Sequence, residues 1–228
     1  MQAAKAVIFD MDGVLIDSYH AHFESWRIVA AEEGIDFSRD VFDRTFGRTS
    51  REIIQDVWGH RAATPERVAS LDARKEAAYR EIISRDFPAM PAVGELIDAL
   101  ASAGFKLAIG SSGPPENVAL VLSRLQRERL FSAVVSGADV VRGKPDPAIF
   151  LLAAQRMGAA PERCAVIEDA PLGIAAARAA GMAAIGLAST GRRREQLAAA
   201  DAVFDSLFEI TPEIIERILS ATAARTDC

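Results

Sequence analysis

The segment Phe9-Asp10-Met11-Asp12-Gly13 closes an apolar run, residues 4–9, with two carboxylates one residue apart. In an extended chain alternate side chains share a face, so Asp10 and Asp12 point one way and Met11 the other. Two like charges held together cost free energy unless a cation or a shared proton relieves them. The pair stands at the carboxyl end of the run, where open α/β sheets place ligands. A hard divalent ion such as Mg2+, which takes oxygen ligands, answers that charge. Asp-Gly by itself also marks ordinary solvated turns, so the weight falls on what the rest of the chain supplies.

Three further apolar runs end in polar groups. Residues 106–110 lead into Ser111-Ser112-Gly113, where small residues let a hydroxyl and backbone N–H groups approach an anion ahead of a helix from about residue 116. After residues 133–135 comes Gly143-Lys144-Pro145-Asp146-Pro147, whose prolines stiffen the segment and leave Lys144 as a cation at the mouth of the sheet. Residues 164–167 end in Glu168-Asp169, followed by Ala170-Pro171-Leu172-Gly173 into a helix. Helix capping accounts for an isolated acidic residue there, and an exposed loop position for an isolated lysine. Four strand ends carrying an Asp pair, a hydroxyl, a lysine and a Glu-Asp pair in order favour a site.

The elements that must position these groups follow from hydrophobic pattern. Short apolar runs at 4–9, 106–110, 133–135, 164–167, 183–187 and, more weakly, 202–204 alternate with Ala- and Leu-rich helical stretches such as 118–125, 148–157 and 172–180. Alternation of this kind predicts βαβ units and a parallel sheet covered on both faces: a doubly wound, Rossmann-like α/β core. From about residue 18 to 87 the pattern is helical only, at 21–33, 39–46, 50–58 and 65–84, with Gly34, Gly47 and Gly59 at the expected helix ends. The expected organisation is a core of residues 1–16 and 88–228 with an inserted all-helical cap, 17–87, placed as a lid over the sheet and hinged near residues 16–18 and 87–91.

With 228 residues, 50% hydrophobic and 25% charged, the chain has enough apolar material for a core domain plus a small insert. A net charge of −6 leaves no electrostatic footprint for nucleic acid, and Arg192-Arg193-Arg194 reads as a solvated loop or helix start. No apolar stretch is long enough to span a bilayer, and an apolar strand a few residues after Met1 leaves no room for a signal peptide. Cys164 and Cys228 are few and unpatterned, which fits a reducing cytoplasm better than a disulfide framework.

The ordered set Asp10-Met11-Asp12-Gly13-Val14, Ser111, Lys144 within Gly-Lys-Pro-Asp-Pro, and Glu168-Asp169 resembles the haloacid dehalogenase superfamily over essentially the whole chain, in the branch with a helical cap after the first strand. The resemblance implies a Mg2+-dependent phosphatase acting on a small phosphomonoester. It makes Asp10 the nucleophile, Asp12 the general acid and base, and Ser111 and Lys144 the holders of the phosphate. Mg2+ falls to Asp10, the Asp12 backbone carbonyl and Asp169, with Glu168 in support. A halide-releasing enzyme is disfavoured, because that branch lacks the second aspartate that Asp12 supplies.

The cap is similar to that of the β-phosphoglucomutase and phosphatase branch. It implies substrate contacts from His22, which shares a helix face with Trp26, from Arg51 after Gly47-Arg48-Thr49-Ser50, and from Lys75, with Ser112 as a further substrate candidate on the core. One departure favours hydrolysis of a sugar phosphate or phosphoglycolate-like ester over a phosphosugar mutase: Gly113-Pro114-Pro115 stands where the mutases carry a further serine and lysine for a second phosphate. Two readings from other classes rank lower. A receiver domain carries its phosphorylated aspartate on a later strand and has no helical insert. A silent binding module would not need the full set of catalytic side chains. A monomer or weak homodimer is expected.

Overall fold

The structure is a computed structural model and describes residues 4–46 and 48–226. Gly47 and Cys228, both used above, and Met1 lie outside the described residues. The chain divides into two compact units, one formed by residues up to Asp17 together with the chain from Ala89 onward, the other by Ser18–Pro88.

In the first unit, β1 (Ala6–Phe9) is followed after the helical unit by α5 (Val93–Ser102), β2 (Lys106–Gly110), α6 (Pro115–Leu125) and β3 (Phe131–Val135). Then come α7 (Ala148–Met157), β4 (Cys164–Glu168), α8 (Pro171–Ala179), β5 (Ala183–Leu187), β6 (Ala202–Phe204) and α9 (Pro212–Thr226). The strands form one parallel sheet in the order β3-β2-β1-β4-β5-β6. Strands β1, β4 and β5 are buried along their whole length, which is why their sequences are continuous apolar runs rather than alternations. Ile8, Ala108 and Val166 pack against Phe150, Ala153 and Met157 of α7 and Ile174 of α8.

Chain order reverses at β1, which pairs with β2 on one side and β4 on the other; this is the switch point where such sheets open a crevice. The register sets Phe9 beside both Ile109 and Ile167, so the residues that follow on the three strands emerge together. The chain leaves and re-enters this unit on neighbouring segments, because Ile16 bridges Ala89 and Met90 N–H donates to Leu15 O at 3.0 Å.

The second unit comprises α1 (Tyr19–Glu32), α2 (Arg39–Thr45), α3 (Ser50–Trp58) and α4 (Pro65–Arg85). Side-chain caps start three of them. Ser38 accepts from Val41 N–H, Thr49 and Glu52 form a reciprocal capping box, and Thr64 accepts from Arg67 N–H just before Pro65, where a missing N–H costs nothing. Their apolar faces converge on Trp26, Phe37, Phe42, Ile54, Trp58 and Leu71, with the Trp26 and Trp58 rings 5.9 Å apart. This unit therefore has a core of its own. Phe42 sits at its centre, 1% exposed. Phe42→Ala is expected to destabilise it by about 3–5 kcal/mol, read as an early transition in chemical denaturation followed by tryptophan fluorescence.

Candidate active site

Asp10 N–H donates to Ile167 O at 3.0 Å, prolonging the β1–β4 ladder by one residue, and Met11 is fully buried behind it. β1 itself ends at Phe9, and the turn that follows is closed by the N–H groups of Leu15 and Ile16 donating to Met11 O at 2.9 and 3.2 Å. Asp10, Glu168 and Asp169 are all buried, and one carboxylate oxygen from each lies within 4.8 Å of the others. Lys144 reaches into this cluster from the loop before α7, with Nζ 2.6 Å from Asp10 Oδ1 and 2.5 Å from Glu168 Oε1. Its ammonium also lies 4.9 Å from the centre of the Phe150 ring. Glu168 is held on its other oxygen, Oε2, by the Ala170 N–H at 2.8 Å. Gly173 clears room for it, since a Cβ there would lie 1.8 Å from Glu168 Oε1.

Ser111 follows β2, the neighbour of β1 on the other side, and is buried; its Oγ accepts from Gly113 N–H at 3.0 Å. Ser112 is exposed on the same loop. Pro114 and Pro115 occupy the cap and first turn of α6, so neither position offers a backbone N–H or a polar side chain.

Burial raises the Asp10 carboxyl well above its ordinary value; Lys144 opposes the shift, and Glu168, Asp169 and Asp12 add to it. Asp169 is pushed up to about 7 by burial and by Glu168, against the pull of Arg192 and Lys144. Burial would lower the Lys144 ammonium, but Asp10 and Glu168 outweigh it and hold it above its ordinary value. The site brings four carboxylates, Asp10, Asp12, Glu168 and Asp169, against two cations, Lys144 and Arg192. With all four ionised, four minus two leaves an excess equal to one divalent cation, and the donors are the oxygens that a hard cation prefers. The residues present therefore fit a divalent metal.

Arg192 was missed by sequence reasoning, which left it in a solvated basic cluster. Its side chain is nearly buried and its Nε lies 3.3 Å from Asp169 Oδ2, while Arg193 is exposed and Arg194 pairs with Asp205 at 2.8 Å. Nothing in the local sequence distinguishes the three, because only the course of the loop after β5 decides which one turns inward.

In the helical unit His22 and Lys75 come together. Lys75 Nζ lies 2.9 Å from His22 Nδ1 and 2.7 Å from Glu76 Oε1, and His22 stacks on Tyr79 with centroids 4.4 Å apart. Lys75 is buried, and Trp26 lends its ring face at 5.4 Å from the ammonium. Arg51 is exposed on α3 and does not join this group.

Residues 4–181 match the family model for haloacid dehalogenase-like hydrolases. The chain is 34% identical over 217 residues to a β-phosphoglucomutase of Bacillus subtilis, covering 92% of this chain and 93% of that one. It is 34% identical over 181 residues to a phosphorylated carbohydrates phosphatase of Thermotoga maritima, covering 78% and 82%. Among solved structures it is similar to a β-phosphoglucomutase of Clostridium difficile, at a TM-score of 0.84 and 26% identity over 97% of this chain and 99% of that one. The chain belongs to the haloacid dehalogenase-like hydrolases. Among the described residues no helix is long and apolar enough to cross a membrane.

The raised carboxyls have a stability consequence. A carboxyl whose folded pKa exceeds its unfolded value contributes stability below the unfolded value and loses it as pH rises through the folded one. In the presence of a chelator the melting temperature is expected to fall as pH rises from about 4, the ordinary aspartate value, towards the 7 of Asp169. Asp169→Asn should flatten that part of the profile in differential scanning fluorimetry.

Proposed function

We propose that this hydrolase is a Mg2+-dependent phosphatase that releases inorganic phosphate from a small phosphomonoester, a sugar phosphate or phosphoglycolate-like ester, through an aspartyl-phosphate on Asp10. The observation that carries the reading is the Lys144 ammonium bridging Asp10 and Glu168 within the buried acidic cluster. An ammonium in contact with a carboxylate nucleophile is placed to neutralise the phosphoryl oxygens that the same carboxylate must approach.

Asp10, Asp169 and the Asp12 backbone carbonyl would hold Mg2+, with Glu168 in support; bound there, the ion supplies Lewis-acid charge neutralisation to the phosphoryl group. A carboxylate oxygen of Asp10 attacks phosphorus in line with the departing ester oxygen. Asp12, in the turn that follows β1 and near enough to raise the Asp10 carboxyl, gives its proton to that oxygen, and the alcohol leaves. Asp12 then takes a proton from water, whose oxygen attacks the same phosphorus, and the Asp10 carboxylate departs as phosphate is released. Ser111 Oγ and the N–H groups of its loop orient the phosphoryl oxygens, while Lys144 balances their charge.

The helical unit is proposed to cap the site and to choose the leaving group through His22, Lys75 and Arg51, with Ser112 contributing from the core. A cytoplasmic monomer or weak homodimer suits the free Cys164 thiol. Prolines at 114 and 115 support hydrolysis over phosphoryl shuttling, because they offer no anchor for a second phosphate. The mutase reading is favoured by the near full-length similarity to the B. subtilis mutase and by the similarity in fold to the C. difficile one.

Phosphate release from a panel of phosphomonoesters with Mg2+ tests the reading, with β-glucose 1-phosphate and its 1,6-bisphosphate assayed in parallel for glucose 6-phosphate. Release is expected, with Asp10→Asn lowering kcat by at least about 10³-fold and Lys144→Met by about 10²–10³-fold. Glucose 6-phosphate formed without net phosphate release would instead establish the mutase.

A further inference from the structure

The loop after β5 closes on the acidic cluster through a residue that the mechanism above does not use. Arg192 and Asp169 expose only 9% and 7% of their side chains, and Nε meets Oδ2 at 3.3 Å. The loop carrying Arg192 is fastened at several points. Ala188 N–H donates to Phe204 O at 2.8 Å, Arg192 N–H to Ser189 O at 2.9 Å, and Thr190 Oγ1 donates to Asp17 Oδ2 at 2.6 Å. On the opposite side stands Gly13, at φ +78°, where a Cβ would lie 2.4 Å from Asp169 Oδ2 and 3.0 Å from Ser189 Oγ. The first strand's turn and the β5 loop thus confine the same oxygen of the same carboxylate.

We infer that Arg192 is a positioning residue for Asp169: it engages Oδ2, assigns Oδ1 to the divalent cation, and thereby sets the affinity of the cluster for that cation. A surface Arg–Asp pair carries no such consequence, being exposed, screened and able to rotate away. This pair is buried, and a hydrogen-bond partner behind a ligating carboxylate governs its orientation. The guanidinium charge alone acts in the other direction, repelling a second cation. Positioning outweighs repulsion here because the pair is buried and the Oδ2 that Arg192 engages is also confined by the Gly13 turn, so the carboxylate is held in one orientation.

The inference rests on the metal part of the proposed function, and the test separates the two. Chelator-stripped wild type, Arg192→Met and Arg192→Gln are titrated with Mg2+ by isothermal calorimetry and by the metal-dependent rise in melting temperature. Arg192→Met, with neither charge nor donor, is expected to weaken Mg2+ by about 10–100-fold. Arg192→Gln, with a donor and no charge, should stay within about 3-fold of wild type, as a retained hydrogen bond requires. Unchanged or tighter Mg2+ binding in Arg192→Met overturns the inference, as does equal weakening in both variants, which would make charge the determinant. A wild type that shows no response to Mg2+ overturns the metal reading and this inference together. Should Arg192→Met fail to melt cooperatively without metal, Arg192→Lys replaces it: charge kept, with a methylene where Nε meets Oδ2, is expected to weaken Mg2+ by at least about 10-fold, and wild-type affinity overturns the inference.

Discussion

Carboxylates crowded at the ends of two neighbouring parallel strands are the constraint around which the first unit is arranged. Asp10 continues β1 and Glu168 ends β4, and the β1–β4 register brings them level. Such proximity is unfavourable by itself, because burial and mutual repulsion both act against ionisation. The fold answers it with Lys144 from the loop before α7, Arg192 from the loop after β5, and the Ala170 N–H at the start of α8. Each counter-group comes from a different crossover, so the site exists only when the whole doubly wound sheet is assembled. The approach is close enough that two glycines are structural requirements of the charge cluster: Gly13 beside Asp169 and Gly173 beside Glu168.

The helical unit follows a different logic. Aromatic packing around Phe42, Trp26 and Trp58 and three side-chain caps stabilise it independently of the sheet. Its polar group centres on Lys75, buried against Trp26 and Tyr79, with His22 and Glu76 half-buried beside it. A carboxylate and two aromatic faces stand around the Lys75 side chain where water would otherwise be.

Much of this architecture was legible in the sequence. Strands β2, β5 and β6 and helices α3 and α7 begin and end where hydrophobic pattern placed them, because apolar runs bounded by Gly, Pro and polar clusters leave little freedom. Other elements differ by a residue or a few. Helix α1 starts at Tyr19 rather than residue 21, α6 at Pro115, and β3 at Phe131, whose partly buried edge residues blur the pattern. Helices α5 and α9 join the rhythm of the core without a motif of their own, so the local pattern does not single them out.

For the site, local spacing determined that Asp10 and Asp12 leave β1 together, that Met11 turns inward, and that Ser111 and Glu168-Asp169 stand at strand ends, while Lys144 lies further on, in the loop before α7. These follow from the two-residue period of an extended chain and from the order of the runs. Only the tertiary structure decided which groups touch: that Lys144 bridges Asp10 and Glu168, that Gly173 makes room for the latter, that Lys75 is buried against His22 while Arg51 stays exposed, and that Arg192 alone among three adjacent arginines reaches Asp169. The physical reason is one of range. Side-chain alternation and apolar runs are properties of neighbours along the chain, whereas these contacts join residues far apart in sequence, and their partners are fixed by sheet order and loop path.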